Sequence, residues 1–239
     1  LFGALFLALC ATCLPARAAS HATYVFYEKF PASNPDKWHV QSLSDGSMTY
    51  LQHGTYQIVR ARPGTMRGWP VNVKVPSGFQ FNVQLQLLGG SDPYEGVTFW
   101  DDLRNNFVLF ALTPDGKAGL FRHTNSGYTE LVPWRSVGFI HQGLHAVNSI
   151  AVNLDAVSAA SGRTFLINGK PLGKPCQDIW RPALGAAPAS NAGLFVGVLA
   201  GGYAPQSAKT KFVATHLVVL HASMYDGTRL GPAPKCPVR

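Results

Sequence analysis

Residues Phe79 to Leu88 alternate almost without a break, with Phe79, Phe81, Val83, Leu85 and Leu87 on one side and Gln80, Asn82, Gln84 and Gln86 on the other. Successive side chains of an extended chain point to opposite faces, so this run makes a strand with one dry face and one wet face. The dry face requires a second layer to cover it. Runs rich in β-branched and aromatic residues recur along the chain: Tyr24–Phe30, Thr55–Ala61, Gly96–Trp100, Asn106–Leu112, Lys117–His123, Tyr128–Val132, Ser149–Asp155, Thr164–Ile167, Leu194–Leu199 and Phe212–Leu220. Turn chemistry separates them. In Thr113-Pro114-Asp115-Gly116 the proline presets φ at the first turn position and the glycine supplies a positive φ. Asn125-Ser126-Gly127 turns again, and Asn168-Gly169 is a type I′ hairpin signal, because both residues accept positive φ. Few stretches carry the helical i, i+3, i+4 repeat. About a dozen short strands with no helices between them predict an all-β, two-sheet antiparallel sandwich and exclude a parallel-sheet enzyme fold. A chain of 239 residues suits one such domain.

The apolar run Leu1–Leu14 is too short to span a bilayer as a helix, and no other segment is long and apolar enough to do so. It ends in Pro15-Ala16-Arg17-Ala18, where Ala16 and Ala18 supply the A-x-A pattern that a signal peptidase accepts. Residues 1–18 are therefore expected to be a signal peptide, residues 19–222 the sandwich and residues 223–239 an irregular tail. Export would place the mature chain in a secreted, periplasmic or cell-surface setting. Cys176 and Cys236 are the cysteines beyond the leader, and an even pair in an exported chain is expected to form a disulfide. Closing that loop of roughly 60 residues contributes about 4 kcal/mol in the chain-entropy model. The formal net charge is +8, carried by Lys and Arg scattered singly. A weakly basic surface attracts anionic polymers without specifying one. Nucleic-acid binding is not expected, since it calls for a clustered basic stripe.

The landmarks come in a set order. Phe30 and Trp38 are followed by Gly54-Thr55-Tyr56, Gly96-Val97-Thr98-Phe99-Trp100, Asn105-Asn106-Phe107-Val108-Leu109-Phe110 and Pro114-Asp115-Gly116. Leu131-Val132-Pro133-Trp134, Asn148-Ser149-Ile150-Ala151-Val152, Phe165-Leu166-Ile167-Asn168-Gly169 and Gly193-Leu194-Phe195-Val196-Gly197 complete it. This order resembles the concanavalin A-like jelly-roll domains of exported bacterial proteins, including the laminin-G-like and 3-keto-disaccharide hydrolase-like branches. The resemblance covers roughly residues 24 to 220 and implies a jelly roll whose first strand, near Tyr24–Phe30, pairs close to the last, near Phe212–Leu220. Relatives often show an acidic step in the last strand, and Phe212-Val213-Ala214-Thr215-His216 lacks it.

Retaining glycosidases on this fold set their carboxylates two to four residues apart on one strand, where alternation puts them on one face. No Asp or Glu here lies two or four residues from another, and the Glu residues are Glu28, Glu95 and Glu130. Asp101 and Asp102 are adjacent and would cap a turn. No G-x-S-x-G elbow occurs. His141 and His145 have i, i+4 spacing but flank Gly143 with no helical pattern, so no metal site is expected from them. Lyases on similar folds use Arg, His and Tyr together, and Arg104, His123 and Tyr128 offer such a trio. Asp101, Asp102, Asn105 and Asn106 form an oxygen-rich turn that suits either calcium or Asx-turn hydrogen bonding. No other cofactor is expected.

Jelly rolls of this class often present a concave face where aromatic rings stack on sugars and an Arg or amide fixes hydroxyls. Trp100, Arg104, Tyr128 and Trp134 flank the central meander and are the candidates for such a surface. The expectation is an exported, non-catalytic carbohydrate-binding or lectin-like module whose partner is a glycan or cell-surface polysaccharide. The alternatives are a glycoside-active enzyme of the 3-keto-disaccharide hydrolase type and a structural or adhesive surface protein.

Overall fold

The computed structural model describes residues 23–73, 75, 78–154, 165–173, 180, 194–205 and 210–226. Residues 1–22, with the expected signal peptide, the expected Cys176–Cys236 disulfide and residues 227–239 lie outside the described residues.

Two antiparallel sheets face each other. The first contains β1 (Thr23–Glu28), β2 (Gln41–Ser42), β3 (Met48–Gln52), β4 (Thr55–Arg60), β6 (Phe79–Gly89), β11 (Val147–Leu154), β12 (Phe165–Ile167), β13 (Lys170–Pro171) and β15 (Thr215–Asp226). The second runs β10 (Gly127–Ser136), β9 (Lys117–Thr124), β8 (Phe107–Leu112), β7 (Pro93–Asp101), β14 (Phe195–Gly202) and β5 (Gly64–Gly68). The all-β sandwich expected from periodicity is the observed one.

Alternation decides which faces meet. Along β6 the odd positions are buried and Gln80, Asn82, Gln84 and Gln86 face outward. Phe79, Phe81, Val83 and Leu85 pack against Val97, Phe99, Phe110 and Leu120 of the opposite sheet in one continuous core. The turns behave as their residues dictate. Gly116 (φ 84°) donates its N–H to the carbonyl of Thr113 at 3.0 Å, and Asn168 (φ 52°) with Gly169 (φ 73°) closes β12 onto β13. The terminal strands pair as the resemblance implies: Tyr24 lies opposite Tyr225 and Glu28 opposite Ala222. The last strand runs on to Asp226, beyond the expected boundary at 222.

One strand departs from alternation. All six residues of β8 are buried. Val108, Phe110 and Leu112 belong to the core between the sheets, while Phe107, Leu109 and Ala111 join a second cluster with Tyr94, Phe121 and Leu199 on the outer face of the same sheet. That sheet is strongly curled, because the hydroxyl of Tyr128 on β10 reaches Thr65 Oγ1 on β5 at 3.5 Å although these are its two outermost strands. Its outer face is therefore concave.

Candidate functional site

The concave face is lined by aromatics seated on small residues. Rings of Tyr94 (β7), Phe121 (β9), Tyr128 and Trp134 (β10) and Tyr203, with Thr65 and Leu109, enclose a cavity of about 300 Å³. Trp134 packs 5.0 Å from Phe121 and 6.2 Å from Tyr94, centroid to centroid. Two glycines make room. A Cβ on Gly119 would meet the rings of Phe121 and Trp134, and one on Gly201 would run into the Tyr94 ring. Gly201→Ala is expected to push Tyr94 into the cavity and to destabilise the sheet by about 1–3 kcal/mol through overpacking. Thermal denaturation together with glycan-binding titration checks this. An unchanged melting temperature with unchanged binding would contradict it.

Beside this cavity lies a polar constellation built around Phe107. The Arg67 guanidinium stands 4.6 Å from the Phe107 ring centroid, the His123 imidazole stacks on it at 4.8 Å with a 15° tilt, and Tyr128 meets it edge-on at 6.2 Å. His123 and Tyr128 are cross-strand partners on β9 and β10, with ring centroids 4.4 Å apart. The His123 Nδ1 lies 2.6 Å from the carbonyl oxygen of Asn105. A carbonyl only accepts, so Nδ1 carries a proton, and in that tautomer the lone pair sits on Nε2. Burial is the main reason the Tyr128 phenol has a raised pKa, which keeps it protonated. A second cavity of about 250 Å³ is bounded by His123, Phe107, Trp100, Asn106, Val108, Arg122 and Thr124. Tyr128 lines the first cavity and His123 the second, so the pair stands between them.

Arg67 is held in place by Asp101. Its Nη1 donates to Oδ1 and Oδ2 of that carboxylate at 2.7 and 2.6 Å, and its Nη2 lies 3.5 Å from Asn105 Oδ1. Between Thr98 and Asp101 the register with β14 shifts, and Trp100 takes φ 53°, the signature of a bulge. The bulge turns Asp101 toward Arg67. Burial raises the Asp101 pKa, against the opposing pull of the guanidinium. No Asp or Glu lines either cavity.

The four residues named from sequence fall into different places. Tyr128 and Trp134 share the larger cavity, whereas Trp100 borders the smaller one and packs in part against the core. Arg104 is exposed on the turn after β7 and lines neither cavity; the cation on the Phe107 ring, which His123 and Tyr128 also contact, is Arg67. The oxygens of the Asp101–Asn106 turn accept N–H groups. Asp101 Oδ1 takes Leu103 N at 2.8 Å, and Asp102 Oδ1 takes Arg104 N at 2.8 Å and Asn106 N at 3.1 Å. His141 places Nδ1 2.8 Å from the carbonyl of Val147, and among the described residues no group of three His, Cys, Asp or Glu gathers. Among the described residues, no helix is long and apolar enough to cross a membrane. Sequence reasoning missed Arg67, Tyr94, Phe121 and Tyr203. The available signal was the unbroken apolar run Phe107–Leu112, which marks a strand with both faces covered.

No family model and no curated protein matches the sequence. Solved structures do. The laminarinase catalytic domain of Thermotoga maritima MSB8 superposes with a TM-score of 0.56 at 9% identity, covering 87% of this chain and 99% of that one. The catalytic domain of an endo-1,3-β-glucanase (laminarinase) from Thermotoga petrophila RKU-1 gives 0.53 at 8% identity, with 87% and 99% covered. A structure described with the endo-acting O-glycanases by which human gut microbiota initiate mucin breakdown gives 0.53 at 9% identity, with 85% and 99% covered. These neighbours correct the functional expectation. The architecture is shared, over nearly their whole length, with catalytic domains of glycan-cleaving enzymes, so the reading as a non-catalytic lectin-like module is withdrawn. What the likeness establishes for this chain is its fold, a concanavalin A-like jelly roll.

Proposed function

We propose that the protein is a glycoside-active enzyme that seats a glycan on its concave face and cleaves it at the His123–Tyr128 pair. The observation that carries this reading is the coincidence of two features on one surface: an aromatic cavity and, at its edge, a base, an acid and a cation packed around one phenylalanine ring. Apolar sugar faces stack on Trp134 and Tyr203, while the Tyr128 and Thr65 hydroxyls supply directional hydrogen bonds. The roles follow from chemistry. His123 Nε2 is placed to take a proton, Tyr128 offers one, and Arg67, anchored by Asp101, holds a positive charge on the same phenylalanine ring. The neighbours' described activities on laminarin and on mucin O-glycans support a polymeric glycan as substrate.

The test is depolymerisation by the purified protein of a panel containing laminarin, mucin, polygalacturonate and alginate, followed by new reducing ends and product mass. Cleavage of at least one polymer, with Trp134→Ala raising KM by about tenfold or more through loss of the stacking platform, is the expected result. Binding without any cleavage across the panel would contradict it.

A further inference from the structure

The outer face of the nine-stranded sheet, on the far side of the sandwich from the concave cavity, carries a tyrosine cluster. Ala222 and Met224 of β15 point into the core, and Tyr225 points the other way, half-buried. Tyr24 on β1 lies directly opposite it, so the first strand meets the last at two phenols. Their ring centroids are 4.3 Å apart at 36°, and the Tyr225 hydroxyl donates to the Tyr24 hydroxyl at 2.8 Å. Residues directly opposite on antiparallel strands hold their Cβ atoms about 5 Å apart, so the two rings run out side by side. A register shift between Tyr24 and Phe26 helps to place them. On an even strand residues three apart face opposite sides, yet Tyr24 and Tyr27 are both 52% exposed with ring centroids 5.6 Å apart. Other tyrosines are less well matched. Tyr27 meets Tyr24 edge-on at 89°, and Tyr94 and Tyr203 are 5.2 Å apart with Tyr94 buried.

We propose that Tyr24 and Tyr225 are an oxidative modification site, coupled into a biphenol crosslink by a one-electron oxidant of the peroxidase class fed with hydrogen peroxide. Each phenol gives one electron to the oxidant and its hydroxyl proton to water, leaving two phenoxyl radicals. Their unpaired electrons, spread onto the ring carbons ortho to oxygen, pair to form one carbon–carbon bond. Each joined carbon then loses its hydrogen as a proton, each oxygen regains a proton, and both rings become aromatic again. In balance, the protein loses two electrons and two protons, and one hydrogen peroxide is reduced to two waters. The hydroxyl–hydroxyl bond brings an ortho carbon of each ring to the same side, where the new bond forms. The link closes a loop of roughly 200 residues, tying the first strand to the last and restricting the unfolded chain.

The experiment treats the dilute full chain with a haem peroxidase and hydrogen peroxide, at a dose that couples free tyrosine in a parallel tube. It records biphenol fluorescence, the intact mass of the monomer and the sequences of crosslinked peptides. The expected result is a fluorescent monomer lighter by two hydrogens, whose crosslinked peptides contain Tyr24 and Tyr225. Tyr24→Phe and Tyr225→Phe each keep the ring and remove the phenol, and each is expected to abolish the crosslink, whereas Tyr27→Phe retains it. The crosslinked monomer is expected to melt at a higher temperature than the untreated chain. An unmodified monomer at the dose that couples free tyrosine would overturn the site, as would a biphenol joining two other tyrosines or two separate chains. A crosslink at Tyr24 and Tyr225 with no rise in melting temperature would overturn its role in tying the terminal strands.

Discussion

His123→Ala is expected to lower turnover by about 10²–10⁴-fold while leaving the melting temperature within a few degrees of the parent. Loss of a positioned general base costs that much in rate. The fold tolerates the change because His123 is only partly buried, stacks on the side of Phe107 away from the inter-sheet core, and makes one hydrogen bond. Tyr128→Phe separates acid from shape: it keeps the ring that meets Phe107 and removes only the hydroxyl, and a similar loss in kcat, larger than the accompanying rise in KM, is the expected pattern. Steady-state kinetics on the cleaved polymer, with circular dichroism to confirm folding, decide the matter. Unaltered kcat in the folded His123→Ala protein would remove His123 from the chemistry.

The second large effect concerns stability. Glu95 on β7 is 3% exposed, and burial pushes its carboxyl up to about 8 from 4.5, against a hydrogen bond from the Asn148 side chain. The sign is that of a raised acid. Below about pH 4.5 the group is neutral in folded and unfolded chains alike and stability is unaffected. Between there and pH 8 the unfolded chain releases the proton that the folded chain retains, so stability falls as pH rises. At pH 7 the loss is about 3 kcal/mol. Glu95→Gln keeps the shape without the proton equilibrium, and it is expected to raise stability at pH 7 by about 2–3 kcal/mol while leaving it nearly unchanged at pH 4. Denaturant titrations at pH 4, 6 and 8 measure this directly. Equal pH slopes for parent and variant would contradict it.

Much of the architecture is legible in the sequence because period-two burial is local information. The alternation of Phe79–Leu87 specifies which side of β6 is covered, and Asn168-Gly169 specifies a hairpin whatever surrounds it. The strands that escape notice lack such a pattern. Gly64–Gly68 is pinned between glycines, while Gln41–Ser42 and Lys170–Pro171 are two residues each. The site was half visible. Tyr128 and Trp134 belong to the meander whose turns are readable, and His123 precedes Tyr128 across a tight turn. Arg67 was not visible, because it reaches Phe107 from β5 at the far edge of the order β10-β9-β8-β7-β14-β5, and only the curl of the sheet brings the two together. Arg104 is the nearer cation along the chain, but Asp102 takes its backbone N–H and the turn presents it to solvent. Asp101 and Asp102 behave as turn caps, as their adjacency implies, with the added pairing of Asp101 to Arg67.

The most direct test of the account is the seat of a bound, uncleaved oligosaccharide. A crystal structure of the folded His123→Ala protein, soaked with an oligosaccharide of whichever polymer the parent cleaves, should show sugar rings stacked on Trp134. The glycosidic oxygen should lie within hydrogen-bond reach of the Tyr128 hydroxyl. A glycan bound instead on the outer face of the nine-stranded sheet, or one crossing the concave face with no bond near His123 and Tyr128, would contradict it.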